Sequence, residues 1–192
     1  MGKGDGQQLL ATERLVLRRW QPADRAPFAA MNGDPAVMRY FRGPLDRTQS
    51  DAFVDRIEQA FDTHGFGLWV VELRSSPGLL GFAGLAWQTF EAPFTPALEV
   101  GWRFARSAWG HGYATEAGRA ALDYGFEHAD VDEIVSMTTR DNERSQAVMR
   151  RLGLARDPKD DFEHPGLPPG HPLRPHVLYR ITRAVWAART DP

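Results

Sequence analysis

In ALEVGWRFARSAWGHGYATEA, residues 97–117, two periodicities meet. ALEVGWRF (97–104) alternates, with Leu98 and Val100 on one side and Glu99, Gly101 and Arg103 on the other, as a strand with a covered face does. From Ala114 the small or apolar residues Ala114, Ala117, Ala121 and Tyr124 fall on one side of a helix that runs to about His128. Between the two, WGHGYATEA (109–117) sets Gly110, Gly112 and Ala114 on alternate positions. A strand enters a loop of small residues and leaves it as a helix.

Such a loop lets an anion approach bare backbone. The N–H groups of residues 110–115 are the donors that a helix start leaves unpaired, and the helix dipole favours negative charge there. A pyrophosphate meets that demand. A P-loop does not fit, because Gly112 is followed by Tyr113 where lysine and a hydroxyl residue are required. A dinucleotide fingerprint fits no better: its third glycine would fall at Thr115, and the strand enters from a meander instead of opening a parallel βαβ unit. The structural alternative is a tight turn, with Ala114 letting the helix pack closely on the sheet.

Upstream, ERLVLRRW (13–20) reads as a strand, a helix opens at Pro22 and Asp24 and runs through Met31, and DPAVMRYF (34–41) reads as a short helix. RTQSDAFVDRIEQAF (47–61) reads as a longer helix capped by Thr48, with Phe53, Ile57 and Ala60 or Phe61 inward. FGLWVVEL (66–73) and LLGFAGLA (79–86) are strands joined by a turn in RSSPG. Downstream, EIVSMTT (133–139) is a strand, and NERSQAVMRRL (142–152) is a helix with Ser145, Val148, Met149 and Leu152 inward, stopped by Gly153. HVLYRIT (176–182) is a late strand. This order indicates an α+β or mixed α/β fold, one sheet with helices on its faces.

The totals fit one domain over residues 9–189, preceded by a polar, disordered extension over 1–8. A net charge of −2 gives no global field for nucleic acid or an anionic membrane, and no apolar run is long enough to span one. The absence of cysteine excludes disulfides, thiolate metal sites and a thiol nucleophile. A soluble, cytoplasmic protein is expected.

Three stretches together resemble the GNAT superfamily of N-acetyltransferases, in its RimJ/RimL-type branch. LEVGWRFARSAWGHGYATEA (98–117) resembles the acetyl-CoA pyrophosphate loop with its leading strand, TTRDNERSQAVMRRLGL (138–154) the family's Asn-x-x-Ser helix, and ATERLVLRRW (11–20) the branch's opening strand. The resemblance implies a mostly antiparallel, twisted sheet of about six to seven strands flanked by helices. It implies acetyl transfer from acetyl-CoA to an amine acceptor, a peptide N-terminus or a small molecule, by direct attack on the thioester. It leaves a homodimer open and calls for no metal.

By the same resemblance, Phe104, Ala105 and Arg106 border the pantetheine arm, and Trp109, Gly110, His111, Gly112, Tyr113, Ala114 and Thr115 form the pyrophosphate loop. Asn142 offers its amide to the pantetheine, or is simply a helix cap. Ser145 donates to the departing thiolate, or is a small inward residue. Two departures are visible: Trp109 opens the loop where the superfamily usually has Gln or Arg, and Met149 stands where many members carry a tyrosine that protonates the thiolate. A non-catalytic acyl-CoA-binding module is therefore the alternative, and a longer donor such as succinyl-CoA a third reading.

The acid–base residue has three candidates. Glu99 lies in an otherwise apolar strand leading to the loop, where burial would raise its pKa; a salt bridge to an arginine is the competing role. The loop DPKDDFEHPGLPPGHPLRPH (157–176), rich in proline, offers Glu163 or His164 beside the acceptor site. His164, His171 and His176 do not have the spacing of a helical ligand pair, so no metal is expected there, and His176 can anchor the last strand. Trp20, Trp69, Trp87, Phe90 and Phe94 are either core or acceptor-pocket residues, and loop 88–97 is where acceptor choice would be made.

Overall fold

The computed structural model describes residues 9–190; the extension expected over residues 1–8 lies outside them. In chain order the described elements are β1 (Leu10–Ala11), β2 (Leu15–Arg18), α1 (Arg25–Gly33), α2 (Arg47–His64), β3 (Leu68–Leu73), β4 (Ser76–Gln88), β5 (Ala97–Phe104), α3 (Tyr113–His128), β6 (Glu133–Thr139), α4 (Glu143–Leu152), β7 (Ala155–Arg156), β8 (Phe162–Glu163), β9 (Pro175–Thr182) and α5 (Arg183–Thr190). The sheet has 9 strands in the order β1-β2-β3-β4-β5-β6-β9-β7, with β8 also on β9. All neighbours are antiparallel except β5 and β6. The mixed α/β class is as expected. The strands beyond the expected six or seven are β1, β7 and β8, each 2 residues long and too short to carry a periodicity.

Alternation along β4 and β5 decides which helix covers which face. Phe82 and Arg103 are cross-strand partners, and Phe82 packs on Phe28 of α1 and Phe53 of α2 at 6.0 and 5.9 Å. Leu85 and Val100 are partners of the opposite parity; Leu85 packs beside Gly125, and Trp102 beside Gly118, both on α3. So α1 and α2 lie on the face bearing Glu99, Gly101 and Arg103, covering its Arg103 end, and α3 covers the other face. Trp20 and Trp69 belong to the core: the Trp20 indole donates to the Leu68 carbonyl at 2.7 Å, and Trp69 lies between Phe61 and Tyr124.

Three local expectations need correction. Residues 34–41 form turns, not a helix, because the Asp34 carboxylate accepts the Ala36 N–H at 2.8 Å and competes with helical pairing; Val37 and Met38 are still buried. The cap of α2 is Asp46, not Thr48: Asp46 accepts the Gln49 N–H at 2.8 Å and Gln49 answers at 3.0 Å, a reciprocal box. The β3–β4 turn is confined to Arg74 and Ser75, while Pro77 and Gly78 are absorbed in β4, where the register shifts between Val71 and Leu73. The helix α5 after β9 is an addition to the sequence reading.

Candidate active site

After β5 the chain makes a 3-10 turn over Arg106–Ala108, then passes Gly110 and Gly112 at φ 82° and 81°. These left-handed angles suit glycine and are costly for a residue with a Cβ. The Gly112 carbonyl accepts the N–H groups of Thr115 and Glu116, both at 3.1 Å, and so starts α3. Among the described residues, the N–H groups of Gly110, His111, Gly112, Tyr113 and Ala114 have no protein acceptor. The set of free donors thus stops one residue short of the expected range: the Thr115 N–H is already used. Free amides over exposed glycines at the positive end of a helix form a cradle for an anion.

A carboxylate in that first turn, Glu116, would oppose an anion if left alone. It is neutralised from β2's leading residues. Thr12 donates its hydroxyl to Glu116 at 2.5 Å, and Arg14 donates its backbone N–H at 2.9 Å and its Nε at 2.7 Å. Burial pushes this carboxyl up, but these hydrogen bonds and the Arg14 charge outweigh it and hold it below the usual carboxylate range. Arg14 also donates to the His111 carbonyl at 3.0 Å, which ties the sheet edge to the loop.

The crossover β5–α3–β6 is a parallel unit, which the meander upstream of β5 conceals in the sequence. Its two strands are joined at Glu99↔Val135 and, among the described residues, at no further register pair toward Phe104. The Ala105 N–H donates to the Leu80 carbonyl at 2.8 Å, so main-chain groups of odd-numbered β5 residues face β4, and those of Trp102 and Phe104 face the gap. The Trp109 indole N–H occupies the Phe104 carbonyl at 2.8 Å. Ala105's N–H is therefore not free for a ligand, whereas the Phe104 N–H and the Trp102 peptide are directed into the opening.

Glu99 lies where β5 and β6 meet. Burial pushes its carboxyl up to about 7, against the opposing pull of the Met137 backbone N–H and of the Gln88 amide, which donates at 2.6 Å. No arginine is paired with it among the described residues. A half-buried carboxyl that titrates near neutrality at the mouth of a parted strand pair is suited to accept a proton.

The chain matches the model of the acetyltransferase (GNAT) domain over residues 14–155. It belongs to the GNAT acetyltransferase family. Among its relatives, a Bacillus subtilis protein, YkkB, is 34% identical over 146 residues, covering 76% of this chain and 84% of that protein. The FsC-acetyl coenzyme A-N(2)-transacetylase of Aspergillus fumigatus is 30% identical over 197 residues, covering 97% and 81%. A solved acetyltransferase from Agrobacterium tumefaciens superposes with a TM-score of 0.73 at 27% identity, covering 91% of this chain and 94% of that one. This chain is an N-acetyltransferase, and its sheet is the GNAT sheet.

In this acetyltransferase Asn142 is first a cap. Its Oδ1 accepts the Ser145 N–H at 3.3 Å and its amide donates to the Thr138 hydroxyl at 2.9 Å, which leaves one amide hydrogen free. Asn142→Ala is expected to lower stability by about 1 kcal/mol, read as a drop in Tm without ligand. The Ser145 hydroxyl is half-buried and has no protein partner among the described residues. Met149 is only 1% exposed and packs in the core with Leu152. Its thioether supplies no proton.

The three histidines of loop 157–176 separate. His164 and His176 have ring centroids 4.9 Å apart within a group formed by Phe90, Phe94 and Phe162. His171 turns aside, its Nδ1 accepting the Leu173 N–H at 3.1 Å. His164 Nδ1 accepts the Gly166 N–H at 3.0 Å, so the neutral ring carries its proton on Nε2. Burial, then His176 and Arg42, hold His164 below the ordinary histidine value; burial does the same for His176. Glu163 is more than half exposed and paired with Arg174 at 3.1 Å. Of the three candidate bases, only Glu99 lies on the parted strands.

One charged residue escaped the sequence reading. Arg103, on the Glu99 face of β5, is 9% exposed and donates to Asn32 Oδ1 at 2.7 Å. A lone arginine in an alternating strand gives no sign of whether a carboxylate meets it. A separate surface groove of about 490 Å³, lined by Leu9, Leu10, Ala120, Asp123 and His128 among others, includes none of the loop residues.

Proposed function

We propose that this acetyltransferase uses acetyl-CoA and transfers the acetyl group to a primary amine, as in the RimJ/RimL-type branch that its motifs resemble. The unpaired amides of Gly110–Ala114 carry this reading: they offer several donors to a diphosphate next to an opening between two strands. Trp109, Arg144, whose guanidinium is 4.7 Å from the Trp109 ring, and the exposed His111 border the same loop. The pantetheine then runs between β5 and β6, with the Phe104 N–H and the Trp102 peptide as partners, and Arg106 at the outer end.

Glu99, as carboxylate, takes a proton from the incoming ammonium through water, so that a neutral amine attacks the thioester. The β5 amides stabilise the oxyanion as the C–N bond forms and the C–S bond breaks. Ser145 donates a hydrogen bond to the departing sulfur. A serine hydroxyl is a weak acid, so its share is small: Ser145→Ala is expected to cost about tenfold in kcat, with little change in the KM for acetyl-CoA.

Incubation with acetyl-CoA and a panel of primary amines and N-terminal peptides, following free CoA thiol, tests the proposal. Absence of thiol release with every amine would sink it. Met149, in place of a proton donor, motivates the second reading, a non-catalytic acyl-CoA-binding module. That reading requires tight CoA binding by calorimetry with no thiol released.

A further inference from the structure

Arg103 combines features that a core residue seldom has. Its guanidinium is buried, yet among the described residues it meets no carboxylate; the acceptor it has is the neutral Asn32 amide oxygen. Asn32 is in turn fixed by donating to the Ser50 hydroxyl at 2.9 Å. The Arg103 Nε is buried without a hydrogen-bond partner. Its Cζ lies over the rings of Phe41, Phe53 and Phe82 at 4.0, 5.5 and 5.4 Å from their centroids. Ring faces ease the burial of a cation but do not replace a counter-ion. Desolvation brings the group down to about 10, so it stays charged at neutral pH.

The surroundings place this charge beside space. Glu99, Gly101 and Arg103 alternate along one face, and a Cβ built on Gly101 would meet nothing within 4 Å. An opening therefore lies between a carboxyl suited to deprotonate an amine and a cation without an anion. Phe41, 39% exposed, forms its outer wall, and Arg42 next to it donates to the Gly166 carbonyl, closing the wall against loop 157–176.

We infer that Arg103 is the counter-ion for a carboxylate carried by a substrate of this enzyme, borne on the amine acceptor. This rests on the acetyltransferase reading above and narrows its acceptors to amines that are also carboxylates. A dicarboxylic acyl donor would present the same chemistry from the thioester side.

The test uses matched pairs that differ by the carboxylate alone: L-lysine against cadaverine, L-phenylalanine against phenethylamine, and 4-aminobutyrate against propylamine, each with acetyl-CoA. A donor arm compares succinyl-CoA with butyryl-CoA on the better amine. The carboxylated member of a pair is expected to have the higher kcat/KM, by about ten- to hundredfold, mostly through KM. Arg103→Met should abolish that preference and Arg103→Lys retain part of it. Preference in the acceptor arm supports the stated source; preference confined to the donor arm overturns that source and reassigns the carboxylate to the acyl group.

Calorimetric binding of the same amines to CoA-saturated protein reads the site independently of turnover. If thiol release fails throughout while carboxylated amines still bind better in an Arg103-dependent way, the catalytic reading fails and this one stands. Equal or absent preference in every arm overturns it. Melting curves separate a structural role: removing a buried, unpaired cation is expected to leave Arg103→Met as stable as the parent or more so, whereas a purely structural arginine would lower Tm.

Discussion

Replacing Glu99 by glutamine is expected to lower kcat by about 10²- to 10³-fold with acetyl-CoA and a good amine, leaving affinity for acetyl-CoA within about twofold. The carboxyl works only when ionised. With its pKa raised to about 7, kcat/KM should climb as pH rises through 7 and level off above it, until the amine's own ionisation adds its limb. The Gln variant should lose the inflection near 7. A second consequence follows from linkage. The folded carboxyl holds its proton above the ordinary value of 4.5, so the native state binds more protons than the unfolded chain between 4.5 and about 7. Stability supplied by this group is therefore lost as pH rises across that window. Glu99→Gln should remove that part of the slope, and its Tm should fall less between pH 5 and pH 8 than the parent's. A variant with undiminished rate and an unmoved inflection would pass the proton to another group, with His164 next in line.

The fold was legible where a periodicity had room to repeat. The expected strand over 97–104 and the strand over 133–139 have the bounds of β5 and β6, because each is long enough to alternate. Gly153 ends α4 at φ 80°, as a helix-stopping glycine should. Misreadings fell where a side chain competes with the backbone. Asp34 diverts residues 34–41 into turns, and Asp46 reaches Gln49 before Thr48 can cap. Both are local polar contacts in which a short carboxylate accepts a backbone N–H two or three residues further on.

The candidate site was legible in its parts but not in its pairings. Gly110, Gly112 and Ala114 mark the loop, and Glu99 stands out as an acid in an apolar strand. Neither the parting of β5 from β6 nor the free edge of Phe104 is written in the order of residues, since both depend on where β6 docks after the α3 crossover. The same holds for Arg14, 102 residues from Glu116 in the chain, and for Arg103, 71 residues from Asn32. Sequence lists the charges; only the fold shows which are neutralised. Arg14 and Glu116 cancel beside the loop, and Arg103 does not cancel.

Gly112→Val is expected to weaken binding of CoA by at least about tenfold, and the reason can be separated from simple strain. The residue sits at φ 81°, where an L side chain costs about 1–2 kcal/mol. Its Cβ would meet Arg14 Nη2 at 3.5 Å, an ordinary contact with the end of a flexible side chain, so the Cβ itself clashes with nothing in the protein. What the new side chain occupies is the space over the free amides of Gly110–Ala114. Gly65 offers the matched control: it stops α2 at φ 79°, and a Cβ there meets nothing within 4 Å. Gly65→Val should therefore lose Tm to a similar degree and keep its affinity for CoA, measured by calorimetry on both variants. If the two variants lose Tm alike and both keep CoA affinity, the glycines serve only to turn the chain, and the diphosphate must be held elsewhere. If only Gly112→Val loses it, the loss belongs to the cradle, since the backbone strain is common to both.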